Sequence, residues 1–138
     1  TDSVLLGSTF IVGGQIKNQT PQLYLVYPQG NYIRPADSKP YLVIGEVKYG
    51  KPILDRVITP KVSIGDASRC ALISMDSTLK SDLTVGPPID FAVIKKDEIK
   101  IASLKCLNMN DPEFSKVCNQ WSQGIFKIFD SFQRFDWE

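Results

Sequence analysis

The chain has 138 residues, 43% hydrophobic and 22% charged, with a formal net charge of +1. That is enough for one compact unit with a core, and the near-zero charge excludes a basic nucleic-acid or acidic-lipid surface. No apolar run reaches membrane-span length, no signal peptide opens the sequence, and the absence of histidine excludes Ser-His-Asp, Cys-His and histidine-metal chemistry. The three cysteines, Cys70, Cys106 and Cys118, form no close pair, so neither a disulfide framework nor a CxxC site is expected, and a reducing cytoplasm fits best. No metal and no cofactor is called for.

In chain order, Ser8 to Ile16 is β-rich and carries Gly13-Gly14, a pair that weakens a strand unless another backbone or a ligand approaches closely. Leu23 to Tyr27 reads as a second strand and Tyr32 to Arg34 as a short third, joined by turn-forming segments into a hairpin and meander. Tyr41 to Ile44 is expected to be a further strand, ending at Gly45-Glu46. Pro52 suits an early helix position, with Ile53, Leu54, Val57 and Ile58 as the apolar side and Thr59-Pro60 as the stop.

A second helix starts at Ser63 with Asp66 three residues on, and its apolar stripe is Ile64, Ala67, Ala71, Met75 and Leu79, widened by Leu72. Ile89 to Ile94 and Ile99 to Leu104 are strands around the charged turn Lys95-Lys-Asp-Glu98. Asp111-Pro112 opens a final helix in which Phe114, Val117, Cys118, Trp121, Ile125, Ile128 and Phe132 recur at helical spacing. Val117, Trp121, Ile125 and Ile128 are expected to pack against the body or a neighbouring subunit. The whole reads as a single domain or half-domain over 1–138: strands in 8–46, two helices in 47–81, two strands in 89–104 and a C-terminal helix in 111–132. Strands, helices, strands and a helix in groups predict a layered α+β fold.

The order and spacing of Phe10-Ile-Val-Gly-Gly-Gln15, Leu23-Tyr-Leu-Val-Tyr-Pro28, Ile44-Gly-Glu46, Tyr49-Gly-Lys-Pro-Ile-Leu-Asp-Arg56, Asp76-Ser-Thr-Leu-Lys-Ser81 and Val85-Gly-Pro-Pro-Ile-Asp90 carry a resemblance. Together they resemble the C-terminal half of bacterial proteasome-type peptidases, the ancestral-beta-subunit group of N-terminal-nucleophile hydrolases. The resemblance implies an α+β, αββα sandwich of which this chain is the C-terminal half. It also implies a cytoplasmic, homo-oligomeric peptidase acting on peptides or unfolded proteins, with no nucleic acid or membrane partner. Its Thr, Ser or Cys nucleophile would lie upstream, on the N-terminal half of the same protein. There a hydroxyl or thiol attacks the carbonyl while the nucleophile's own amine takes the proton.

The resemblance further implies a supporting set in this chain. Glu46 stands where the family has the serine of a Gly-Ser-Gly turn at a strand-to-helix junction, whose helix N-terminus would offer amide donors to developing negative charge. Ser81 falls on the family's aspartate and Thr84 on its serine, the pair that orients the nucleophile and its amine, and Asp82 could supply the charge that Ser81 lacks. Each loop also reads as an ordinary turn. Thr1 is not expected to be the nucleophile, because Asp2 to Gly7 lacks the segment that follows the nucleophile in these peptidases. The alternative reading is a non-catalytic assembly or binding module with the same fold.

Overall fold

Three short strands separated by turn formers build the first sheet. The computed structural model describes residues 7–98 and 100–138. Thr1 and the start of the expected strand at Ile99 fall outside them. β1 (Phe10–Gly14), β2 (Gln22–Val26) and β3 (Tyr32–Ile33) form an antiparallel sheet in that order. Phe10 faces Val26, Gly14 faces Gln22, and Leu25 faces Ile33. Gly30 takes φ +87° at the β2–β3 turn, a conformation open to glycine at no cost. Leu25 is the one buried hydrophobic residue of this sheet.

The expected strand at Tyr41–Ile44 does not form. No described strand offers it a ladder, and the Tyr41 amide bonds instead to the Lys39 carbonyl at 2.8 Å. Tyr41 and Val43 turn inward against a cluster of Leu54, Ile58 and Cys70. Side-chain burial, not strand pairing, holds the segment.

Next come α1 (Lys51–Val57) and α2 (Ile64–Ser81). Pro52 lies in the first turn of α1, and the chain leaves the helix at Ile58, whose backbone is extended (ψ 118°). At α2 the Ser63 hydroxyl oxygen accepts from the Asp66 amide at 3.0 Å, satisfying one of the free first-turn donors. β4 (Ile89–Ile94) and β5 (Ile101–Leu107) form a separate antiparallel hairpin, with a register shift at Val93/Ile94. α3 (Pro112–Asp130) is capped by Asp111, whose carboxylate accepts from the amides of Glu113 and Phe114 at 3.0 and 3.1 Å.

The main core lies between this hairpin and the two long helices. Ile89, Leu107, Phe114 and Cys118 are buried there, with Leu72, Met75, Leu79 and Phe91 packed around them. Phe114 is 1% exposed. α3 does not follow its sequence pattern to the end, however. Val117 and Trp121 are half-buried, but Ile125 and Ile128 are 47% and 60% exposed, because no described element lies against the last turns of the helix.

The face of α2 that carries α1 is mostly not the apolar stripe read from the sequence, though Ala67 of that stripe joins it. It is built on Cys70, Ser74 and Thr78, small residues one turn apart, all buried. Their size lets α1 approach closely: a Cβ on Gly50 would lie 2.3 Å from Ser74 Oγ, 3.0 Å from the Ser74 carbonyl oxygen and 3.2 Å from Thr78 Oγ1.

Candidate active site

Close packing of α1 on α2 decides where the two sequence-predicted loops lie. The start of α1, at Gly50, meets Ser74 and Thr78 near the end of α2. One turn further along α1, the Ile53 carbonyl lies 3.9 Å from the Cys70 thiol, which is earlier in α2. The two helices therefore run antiparallel, and the turn entering α1 lies at the same end as the loop leaving α2. The electrostatics agree, since Lys48 in the first loop contributes to the lowered pKa of Asp82 in the second.

The entering turn is shaped by Gly45, whose φ of +81° disfavours any side chain. Glu46 is half-buried, and its Oε1 accepts from the Lys48 amide at 2.8 Å. Its carboxylate braces the turn at the position where the family resemblance has a serine. The first turn of α1 does not present the amide donors expected of it. Gly50 is already helical in backbone (φ −88°, ψ −39°). As a result the Lys51 amide bonds back to the Val47 carbonyl at 3.1 Å, Ile53 bonds to Gly50 at 3.1 Å, and Pro52 has no N–H.

The leaving loop is ordered by Asp82. Its Oδ1 accepts from both the Thr84 amide at 2.8 Å and the Thr84 hydroxyl at 2.7 Å. These bonds from Thr84, hydroxyl first, hold the Asp82 carboxyl below its usual range, and the Lys48 charge adds to them. Its Oδ2 accepts no hydrogen bond among the described residues. Ser81, the last residue of α2, is exposed and stands outside this pair. Asp82, not Ser81, therefore carries the charge next to the Thr84 hydroxyl. The sequence hint was the adjacency of the two residues. The loop ends in a cis peptide between Pro87 and Pro88.

A second polar group was not legible in the sequence. Asp76 on α2 is 1% exposed, with Oδ2 accepting from Lys80 Nζ at 2.8 Å and Oδ1 unpartnered among the described residues. It lies beside Cys118 of α3, whose thiol is pushed up to about 11, first by burial and then by this carboxylate. Lys80 also reaches Ser122 Oγ at 3.3 Å, so the cluster ties α2 to α3 just before the Asp82 loop.

Elsewhere, an open cleft of about 940 Å³ lies between Gly13–Asn18 and the β4–β5 turn. Gln15 spans it, donating to Asp97 Oδ1 and accepting from the Asp97 amide, both at 2.7 Å. A smaller cleft of about 430 Å³ contains Arg34, Lys39, Tyr41, Lys51 and Asp55. Tyr41 donates to Asp55, and burial followed by this bond raises its pKa. Neither cleft includes Glu46, Ser81 or Thr84. The chemistry of the donor set, not cavity size, singles out the Asp82–Thr84 loop.

A layered α+β unit with these two junctions at one end of a helix pair is part of a proteasome-type fold. The proteasome subunit family matches residues 5–94, and the chain belongs to that family. Among solved structures it is similar to Anbu from Hyphomicrobium sp. strain MC1, with 42% identity and a TM-score of 0.88 over 93% of this chain and 55% of that one. It is also similar to Anbu, the ancestral beta-subunit, from Yersinia bercovieri, with 38% identity and a TM-score of 0.91 over 95% and 56% of the two chains. A structure described as the helical assembly of the Anbu complex from Pseudomonas aeruginosa matches at 42% identity and a TM-score of 0.88, over 94% and 54%. No curated protein matches. The chain thus spans a little over half the length of these solved structures, and its fold is a partial proteasome fold.

Proposed function

We propose that this chain is the C-terminal part of a proteasome-like peptidase, hydrolysing peptide bonds with an N-terminal Thr, Ser or Cys that lies upstream of it. The observation that carries the reading is the Asp82–Thr84 pair. Asp82 is held below its usual pKa and keeps Oδ2 free among the described residues, while the exposed Thr84 hydroxyl donates its proton to Asp82 and so remains available only as an acceptor. Such a pair can accept from an α-ammonium and hold a nearby nucleophile in register. Its substrates would be peptides or unfolded proteins, its partners the N-terminal half and further copies, and its compartment the cytoplasm. No helix among the described residues is long and apolar enough to cross a membrane.

The test is turnover of fluorogenic peptides by the full-length protein. Asp82→Asn and Thr84→Ala should each lower kcat/KM by roughly a hundredfold, the scale of a misplaced reacting group, while Ser81→Ala should not. The isolated chain should be inactive; activity in it that Thr1→Ala abolishes would overturn the reading. One observation favours the non-catalytic module instead. Glu46 closes its own turn where the family resemblance calls for a hydroxyl. If Glu46→Ser raises turnover in the full-length protein, that substitution is what limits activity.

A further inference from the structure

We propose that Asp76 is a positioning residue for the Asp82–Thr84 pair, acting through Lys80 and α3. The proposal rests on the peptidase reading above and names what aims its acceptor pair. Asp76 is the one charged side chain buried among the described residues.

Such burial is costly. Oδ2 accepts from Lys80 Nζ at 2.8 Å, but Oδ1 has no partner among the described residues, and a buried oxygen without one gives up its water with no return. A buried ion pair is also weak support for stability compared with apolar side chains of the same volume. Leu72, Met75 and Leu79 already join α2 to the core. Cohesion between helices therefore does not account for an aspartate at this position.

What the carboxylate does is fix Lys80. A half-exposed lysine ordinarily samples many rotamers. This one is held between Asp76 Oδ2 and Ser122 Oγ of α3, the latter at 3.3 Å. The Cys118 thiol borders the same carboxylate, and with its pKa pushed up to about 11 it keeps its proton and adds no second negative charge.

The hold reaches the site through the last turn of α2. Residues two apart on a helix point about 200° from each other. Thr78 and Lys80 therefore occupy opposite faces of that turn. Ser74 and Thr78 face Gly50 of α1, while Lys80 is tied to α3, so the turn is clamped from both sides. The Thr78 carbonyl accepts from the Asp82 amide at 2.8 Å, which sets where the chain leaves the helix. Asp82 then places Thr84 through its amide and its hydroxyl. Contacts thus run unbroken from Asp76 to the pair.

The experiment is a double-variant cycle on peptide turnover by the full-length protein. Asp76→Asn keeps the shape of the side chain and releases Lys80. It should lower kcat by at least about tenfold, part of the roughly hundredfold loss expected for Asp82→Asn, with KM little changed. Added to Asp82→Asn it should cost nothing more, because a displaced pair has little left to lose. An unchanged kcat for Asp76→Asn, or losses that multiply in the double variant, overturns the proposal. Leu25→Ala, in the first sheet, controls for stability: it should lower Tm and leave kcat unchanged below unfolding. An equal fall in kcat there overturns the proposal, since lost stability alone then explains Asp76→Asn. If Asp76→Asn does not fold, Lys80→Met and Lys80→Arg replace it. Methionine should lose activity as Asp76→Asn does, and arginine, which still pairs with Asp76, should keep it; equal activities overturn the proposal. The same cycle in acid unfolding needs no turnover. Asp82→Asn should flatten the acid limb when Asp76 is present and not in the Asp76→Asn protein, and flattening in both overturns the proposal. If wild type and Asp82→Asn turn over peptide equally, the peptidase reading fails, and the acid cycle alone decides whether Asp76 positions the pair.

Discussion

Gly50→Ala tests the packing that brings the two loops to one end. The Gly50 backbone is in the right-handed helical region, so alanine is conformationally allowed and would stabilise by about 0.4–1 kcal/mol through the unfolded chain alone. Contacts oppose this. The new Cβ would lie 2.3 Å from Ser74 Oγ, which can rotate, and 3.0 Å from the Ser74 carbonyl oxygen, which cannot leave its helix. α1 must then lift from α2 by a few tenths of an ångström, an overpacking cost of roughly 1–3 kcal/mol. The net expectation is a loss of about 1–2 kcal/mol, seen as a Tm lower by roughly 3–10 °C for a chain of this size. Adding Ser74→Ala removes the hydroxyl contact but not the carbonyl. The double variant should regain part of the loss, with a coupling of at least about 0.5 kcal/mol. Thermal unfolding of the four proteins measures the cycle. A stabilised Gly50→Ala, or strict additivity with Ser74→Ala, would falsify the close approach, and with it the argument for a common end.

Three other outcomes follow from the same geometry. Phe114→Ala empties a fully buried site between β4–β5 and α2 and should cost about 3–5 kcal/mol in denaturant unfolding, against under about 0.5 for an exposed change such as Lys116→Ala. Thr84 lowers the Asp82 pKa below 3.8, and Lys51, then Tyr41, does the same for Asp55, so the stability each carboxylate contributes is full above that value and lost as pH falls through its folded pKa. Asp82→Asn and Asp55→Asn should each flatten the acid limb of the stability–pH profile below about pH 4 and leave its slope near neutrality unchanged. In alkylation at pH 8, Cys106, exposed on β5, should react in the native protein, while buried Cys70 and Cys118 should react only on unfolding. Native labelling of Cys118 would contradict its place against Asp76.

The helices were legible because their signals are local. Ser63 and Asp111 announce their caps by residue type, and the 3.6-residue recurrence of Phe114, Cys118 and Trp121 needs no distant partner. The order of glycine-bordered segments was enough to identify the family and the α+β fold. Tyr41–Ile44 failed as a strand for the opposite reason. Its alternation is a property of the segment, but a strand exists only when a neighbour supplies a ladder, and none of the described strands does. The candidate site divided along the same line. Glu46 and Thr84 lie in turns that the sequence marks with glycine, and Asp82 next to Ser81 offered the charge, whereas the double bond of Asp82 Oδ1 to the Thr84 amide and hydroxyl depends on the folded loop.

The sequence alone determined which segments would be helical and where they begin, since these follow from nearest-neighbour chemistry and periodicity, and the order of its segments carried the resemblance to the family. Only the tertiary structure decided that α1 rides on Cys70, Ser74 and Thr78, that Asp76 is buried beside Cys118, and that the aromatic end of α3 stands clear of the core. Each of these depends on what lies opposite a side chain across the fold, and a linear pattern carries no record of that.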